Sequence, residues 1–460
     1  LGEAAHTAED AKKYFLSYSR AISQISEGAT DIDIRDNPGI SVKLSALHPR
    51  YEFTQKRRVM DELVPRVSSL VLQAKNANMG FTIDAEEADR LDLSLDVIEA
   101  VLSVSDLAGW DGFGLVVQAY SPRAIHVLDW CYDLASKLDR KIMIRLVKGA
   151  YWDTEIKLAQ VEGLSGYPVF TQKAATDISY TACAKKLLSM TDRIYPQFAT
   201  HNAHTMATVL HLAGDETNFE FQRLHGMGEA LHNIVKERHG GRCRIYAPVG
   251  IHEDLLAYLV RRLLENGANS SFVNQVLDEK VPAKLVVSDP EESLNARRAR
   301  SATGIPLPMN IYPMGRVNSQ GINFANPAEL EKFGKMRELY QTKTWHCVPV
   351  IGGKAQAGEV RAIYNPSDKA DLVGETVEAT DLQINSAFEI AQKAQPAWAS
   401  TSPTKRADIV KKVADLLEEN RDELMALLAR EAGKTPFDAL GEVREAVDFC
   451  HYYAQEALSI

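Results

Sequence analysis

Seven times between residues 39 and 275 a short apolar run gives way to a longer segment whose apolar residues return at three- and four-residue spacing. The short runs are ISVKLSAL, FTIDAEE, GLVVQAY, IMIRLVKGAY, YPQFATHN, FEFQRLHG and CRIYAPVG; the segments between and after them, near 56–77, 89–103, 122–138, 174–190, 203–213, 228–238 and 252–266, carry the helical period. Alternation of this kind builds a parallel sheet, because a parallel partner strand is reached only through a crossover, usually a helix. A closed barrel of such units has eight strands and gathers its functional loops at their carboxyl ends, and each run here ends in polar or charged residues. The pattern predicts an α/β fold, a (β/α)8 TIM-like barrel. Its unmatched first strand is expected before Leu1, since LGEA and the alanine-rich helical stretch behind it read as the loop and helix that follow a strand. An open doubly wound sheet is the competing architecture, but no G-x-G-x-x-G follows any strand.

The rhythm stops at about residue 276. Proline and glycine cluster in GIPLPMNIYPMGRVNSQGINFANP, which predicts an ordered connector over 276–345. Beyond 346, GEVRAIYNPSD and LVGETVEAT predict a β-hairpin, followed by long helices at 381–397, 403–429 and 438–457. Two folding units are expected from the length alone, since 460 residues exceed what one core usually organises. The net charge of -10, with basic and acidic residues interleaved, argues against a nucleic-acid partner and for a small molecule. Cys131, Cys183, Cys243, Cys347 and Cys450 lie far apart without CxxC pairing, which suits a reducing compartment and predicts a cytoplasmic protein. The opening residues carry no initiator methionine and no signal peptide, so the chain reads as an internal piece.

Lys43 and Lys148 sit in or at the end of strand runs, where a buried lysine is costly unless it is paired or used; the plain alternative is an ammonium reaching water. Asp84 would pair such a lysine or start a helix. In HEDLLAYLVRRLLENG, Leu255, Leu256, Leu259, Val260, Leu263 and Leu264 form one apolar stripe, expected to face the core. Arg261 and Arg262 on the other side are either a solvated face, with Arg261 paired to Glu265, or a clamp for a carboxylate. His201 and His204 stand three apart but nothing completes a metal set, so no metal is expected. GxSxG, P-loop and HExxH signatures are absent. Two lysines at barrel strand ends leave a Schiff-base lyase or aldolase open, and a ligand-binding scaffold without turnover is a further alternative.

Six stretches in order, VKLSALHPRYE, IDAEEADRL, RLVKGAYWD, QFATHNAHT, FQRLHGMGE and RIYAPVG with LVRRLLENGA, closely resemble the proline dehydrogenase domain of the bifunctional proline utilization A family, over residues 1–275. Residues 346–460, with YNPSD, EAGKT and EVREAVDFCHYYA, resemble the start of that family's aldehyde dehydrogenase domain. The resemblance implies FAD-dependent oxidation of L-proline to Δ1-pyrroline-5-carboxylate by hydride transfer to flavin N5, with electrons passed to a quinone at the membrane. It further implies peripheral contact with the inner face of a membrane, homo-oligomerisation of the full-length protein, and NAD-dependent oxidation of the product to glutamate by the remainder of the second domain. Cys450 does not match that domain's nucleophile motif and is expected to be structural.

Carried onto matching positions, the resemblance gives Lys43, Arg261 and Arg262 to the substrate carboxylate, Tyr151 and Tyr246 to the pyrrolidine ring with Leu146 nearby, and Glu3 to a gate that pairs with Arg261. Asp84 would orient Tyr246, from a strand end 162 positions away, which requires both in one barrel mouth. For the flavin it implies Gln118, Arg145, Val147, Lys148, Gly149, Ala150, Trp152, Thr176, Ala199, Thr200, His201, Asn202, Leu224 and Glu265, with Arg145 at N5.

Overall fold

A computed structural model describes residues 4–250, 255–267, 287–299, 304–313 and 315–458. They divide into two compact units, residues 1–156 with 168–305 and residues 157–167 with 306–460.

In the first unit the seven expected runs form seven parallel strands in sequential order: β1 (Gly39–Val42), β2 (Gly80–Ile83), β3 (Phe113–Gln118), β4 (Ile142–Val147), β5 (Ile194–Ala199), β6 (Glu220–Leu224) and β7 (Arg242–Tyr246). Helix α1 (Ala8–Ile25) precedes β1, capped by Thr7 and Asp10 in a reciprocal box. Between and after the strands run α2 (Lys56–Asn76), α3 (Leu91–Leu102), α4 (Ala124–Lys137), α5 (Trp152–Glu162), α6 (Lys173–Leu188), α7 (Ala203–Ala213), α8 (Glu229–His239) and α9 (Leu256–Gly267). This is the curled βα repeat of a TIM-like barrel. The eighth strand, expected upstream of Leu1, is not among the described residues.

The sheet curls far enough for its ends to meet. Arg244 on β7 donates from Nη1 to Asn37 O at 2.8 Å and from Nη2 to Arg35 O at 2.7 Å, just ahead of β1. Arg242 pairs with Asp36 in the same place at 2.6 Å.

Side-chain alternation sorts each strand. Val42, Phe81, Phe113, Ile144, Ile194 and Phe198 are fully buried in the core with apolar residues of the surrounding helices, and truncating one of the phenylalanines to alanine would cost about 3–5 kcal/mol. On the other parity stand Ser41, Thr82, Arg145, Gln197, Gln222 and Arg244, lining the inside of the curl.

Two elements differ from the sequence reading. Helix α5 was not expected, because WDTEIKLAQVE carries little apolar periodicity. The 276–345 stretch contains helices α10 (Pro290–Ala299) and α11 (Pro327–Tyr340).

In the second unit the expected hairpin is present as β11 (Val360–Tyr364) against β12 (Leu372–Val377), with β8 (Trp345–Cys347) added in parallel to β12. A two-stranded ribbon, β9 (Val350–Ile351) with β10 (Lys354–Ala355), lies before them in sequence. Helices α12 (Asp381–Ala399), α13 (Pro403–Glu419), α14 (Arg421–Ala432) and α15 (Pro436–Glu456) follow. The helix expected over 403–429 breaks at Asn420, whose amide turns back to donate to Leu416 O at 2.8 Å and so competes with the backbone ladder. Phe324, Phe333, Met336, Met425, Leu440 and Val443 form this unit's core. Among the described residues, no helix is long and apolar enough to cross a membrane.

Candidate active site

The carboxyl ends of the strands open on a cavity of about 430 Å³ that continues down inside the curl. Lys43, Asp84, Arg145 and Tyr246 all line it, together with Tyr18 and Tyr258. The first four stand on the inward parity of their strands, Arg145 two residues short of the end of β4, Tyr246 at the end of β7, and Lys43 and Asp84 just past the ends of β1 and β2. Lys43 follows β1, its N–H donating to Tyr18 Oη at 3.2 Å, and Asp84 follows β2, its N–H donating to Val42 O at 3.0 Å.

Asp84 joins two of the others. Its Oδ1 accepts from Arg145 Nη1 at 2.7 Å and its Oδ2 from Tyr246 Oη at 3.0 Å, so the pairing across 162 positions is present and the carboxylate serves no helix cap. The Arg145 guanidinium also lies over the Tyr246 ring, 5.1 Å from its centroid. Beside the Asp84 carboxylate, and buried, the Tyr246 phenol is held well above its ordinary pKa, so it remains a donor. Arg145 is 8% exposed, and among the described residues it also donates from Nη2 to Ser41 Oγ at 2.8 Å and from Nε to Gln222 Oε1 at 2.6 Å.

Around the cavity the strand-end loops are tied together. Gln118 donates through Nε2 to Glu86 O at 2.8 Å and accepts from the Ala150 N–H at 3.4 Å. Val147 O and Lys148 O accept from the N–H groups of Ala119 and Tyr120 at 2.8 and 2.7 Å, continuing the β3–β4 ladder beyond the strands. Lys148 Nζ is engaged by Asp177; burial lowers its pKa while Asp177 opposes the shift. Gly149 adopts φ +139°, and a Cβ there would run into the Tyr120 ring. Trp152 opens α5 with Nε1 donating to Phe170 O at 2.8 Å. Thr176 is buried on α6.

On the far side of the mouth, Ala199 ends β5 and the Thr200 N–H donates to Gln222 O at 3.3 Å. Asn202 caps α7 by accepting from the Thr205 N–H at 3.1 Å. His201 Nε2 accepts from the Leu224 N–H at 3.0 Å, which places any ring proton on Nδ1, and burial, then His232, Arg262 and Arg223, lower its pKa to about 4. Its imidazole is therefore neutral near pH 7.

Three expectations need correction or fall outside view. Leu146 alternates with Arg145, is fully buried with the helix-facing core, and does not reach the cavity. Of the expected core-facing stripe, Leu256, Leu259 and Leu263 are exposed, at 64%, 48% and 72%, and Leu255 lines the cavity together with Tyr258, which carries the Arg262 guanidinium 5.0 Å from its ring centroid. Glu3 and the side chains of Arg261 and Glu265 lie outside the described residues. Tyr151 is half-buried at the start of α5, its carbonyl accepting from the Glu155 N–H at 2.9 Å. Among the described residues, no group of three or more His, Cys, Asp and Glu could hold a metal ion.

The sequence reading passed over the polar floor: Ser41, Gln197, Glu220, Gln222 and Arg244. A signal was there, since YPQFA, FEFQRL and CRIY place polar residues every second position in strands of a parallel sheet, where both faces are usually apolar.

Residues 1–275 match the family model for proline dehydrogenase, and residues 354–460 match that of the aldehyde dehydrogenase family. The chain is 49% identical over 468 aligned positions to the bifunctional protein PutA of Salmonella typhimurium, covering 99% of this chain and 36% of that protein. It thus spans about a third of the length of the curated relatives it matches most fully. A crystal structure of a bifunctional proline utilization A protein superposes with a TM-score of 0.88 at 49% identity, over 98% of this chain and 43% of that one. A second, from Bdellovibrio bacteriovorus and inactivated by N-propargylglycine, gives 0.88 at 30% identity over 100% of this chain and 49% of that one.

Proposed function

The chain belongs to the proline dehydrogenase family, and from that premise we propose that its first unit oxidises L-proline to Δ1-pyrroline-5-carboxylate with FAD as cofactor. The observation that carries the reading is the joined set of Asp84, Arg145 and Tyr246 in one cavity with Lys43.

The residues fit a flavin. Its ring system presents mainly hydrogen-bond acceptors at one edge, and the mouth offers donors: the buried Arg145 guanidinium, the Gln118 amide and the Lys148 ammonium. The neutral His201 and the close passage of the chain at Gly149 complete a cradle made from strand ends β3 to β6. Val147, Ala150, Trp152, Thr176, Ala199, Thr200, Asn202, Leu224 and Glu265 would hold the rest of the cofactor. When bound, FAD supplies the acceptor for the hydride that leaves the carbon next to the ring nitrogen.

The protein's share is orientation. Lys43, Arg261 and Arg262 would grip the proline carboxylate, and fixing the anion fixes the ring that carries the reacting carbon. Tyr246 and Tyr151 would flank that ring. Asp84 holds the Tyr246 hydroxyl, fixing the phenol plane, and offsets the charge of Arg145. Glu3 would close over the substrate by pairing with Arg261. Quinone as electron acceptor, contact with a membrane surface, self-association, and a following NAD-dependent oxidation belong to the longer protein in this reading. The two-family organisation supports the following oxidation, and the resemblance supports the others.

Inhibition tests the clamp. Five-membered cyclic carboxylates without a transferable hydrogen next to nitrogen should compete with proline, and their methyl esters should not bind, since each lost charge-assisted contact costs about 1.5–3 kcal/mol. Equal inhibition by acid and ester would remove the three cations from this role.

A further inference from the structure

Arg145 is held on one side by a residue that the reading above leaves unused. Its Nε donates to Gln222 Oε1 at 2.6 Å, and Gln222 is only 3% exposed. The other end of that amide, Nε2, donates to Glu220 Oε1 at 2.7 Å. Glu220, 1% exposed, is itself fixed, accepting from Gln197 Nε2 at 2.9 Å and Arg244 Nε at 2.8 Å.

The amide has one possible orientation. An arginine Nε can only donate and a carboxylate can only accept, so a turned-over Gln222 would set donor against donor and acceptor against acceptor at its two ends. Glu220 therefore keys Gln222, and Gln222 presents its acceptor to the single N–H that fixes the rotation of the guanidinium about its own stem. Asp84 and Ser41 act on the two Nη groups, where a rotated guanidinium could still find one of them. Removing the Gln222 acceptor would leave a buried donor of a charged group without its partner, and the guanidinium would turn to recover one.

We propose that Gln222, keyed by Glu220, is a positioning residue for Arg145 and sets the orientation in which the guanidinium meets flavin and substrate. The proposal rests on Arg145 lying beside the flavin N5. Gln222→Met, close in size but without the amide, should retain FAD in a fluorescence titration. It should shift the flavin reduction potential in the same direction as Arg145→Met and lower kcat about tenfold or more, with a smaller change in KM. The variant Arg145→Met with Gln222→Met should match Arg145→Met alone in potential, because no guanidinium is left to position.

An unshifted potential in Gln222→Met, or a further shift in the double variant, would overturn the proposal while leaving the reading of Arg145 standing. An unshifted potential in Arg145→Met would overturn both. Should Gln222→Met fail to fold, Glu220→Gln keeps size and hydrogen-bonding reach but replaces the acceptor-only carboxylate with an amide that can turn either a donor or an acceptor toward Gln222, so the key is no longer one-sided. A smaller shift in the same direction then supports the proposal, and none refutes it.

Discussion

A single carboxylate in the mouth answers two donors, and its two oxygens divide the work. Asp84 Oδ1 takes Arg145 and Oδ2 takes Tyr246, so the charge of the first and the ring plane of the second depend on one side chain. Asp84→Ala and Tyr246→Phe should each lower kcat/KM by about tenfold or more, the loss of a hydrogen bond to a charged group being about 1.5–3 kcal/mol. The double variant should cost less than the sum by about 1 kcal/mol; strictly additive losses in steady-state kinetics would mean the contact has no role in turnover. The resemblance named this pairing, and the barrel allows it because strand ends converge whatever their separation along the chain. Leu146 came from the resemblance as well; in the fold its neighbour Arg145 takes the inward parity and Leu146 the buried core. Gln222 and Glu220 announced themselves only as a polar period of two, which says where side chains point and not what they touch.

At the scale of elements, strands β1 to β7 and most of their helices could be read from period alone, because each buries an apolar face of constant spacing. What period cannot give is polarity in context. Helix α9 shows the expected spacing, yet Leu256, Leu259 and Leu263 are exposed and Tyr258 lines the cavity. The turn from β4 into α5 was legible as a motif but not as a shape. Gly149 there has φ +139°, a conformation that residues with a Cβ rarely adopt, and the Tyr120 ring fills the space a methyl group would need. Gly149→Ala should destabilise the first unit by about 2–3 kcal/mol, read as a lower urea midpoint at unchanged slope. A shift below about 0.5 kcal/mol would show that the turn relaxes freely.

For the whole molecule, pH gives a signed expectation. The folded His201 has a pKa of about 4, below the value near 6.5 of an unfolded histidine, so between these the unfolded chain binds a proton that the folded chain refuses. Its contribution is complete above pH 6.5 and is lost as pH falls, by about 2 kcal/mol at pH 5. His201→Gln keeps an acceptor for the Leu224 N–H without the titration, and its thermal midpoint should fall less between pH 7 and 5 than that of the unaltered chain. Equal falls would remove His201 from acid sensitivity. The central claim, that the cavity binding Asp84, Arg145 and Tyr246 into one unit oxidises proline against a flavin, is most directly tested by the visible spectrum of the purified protein under anaerobic conditions. A yellow protein whose flavin absorbance bleaches on addition of L-proline is the result expected; a colourless protein, or a flavin that proline leaves oxidised in the folded chain, would contradict it.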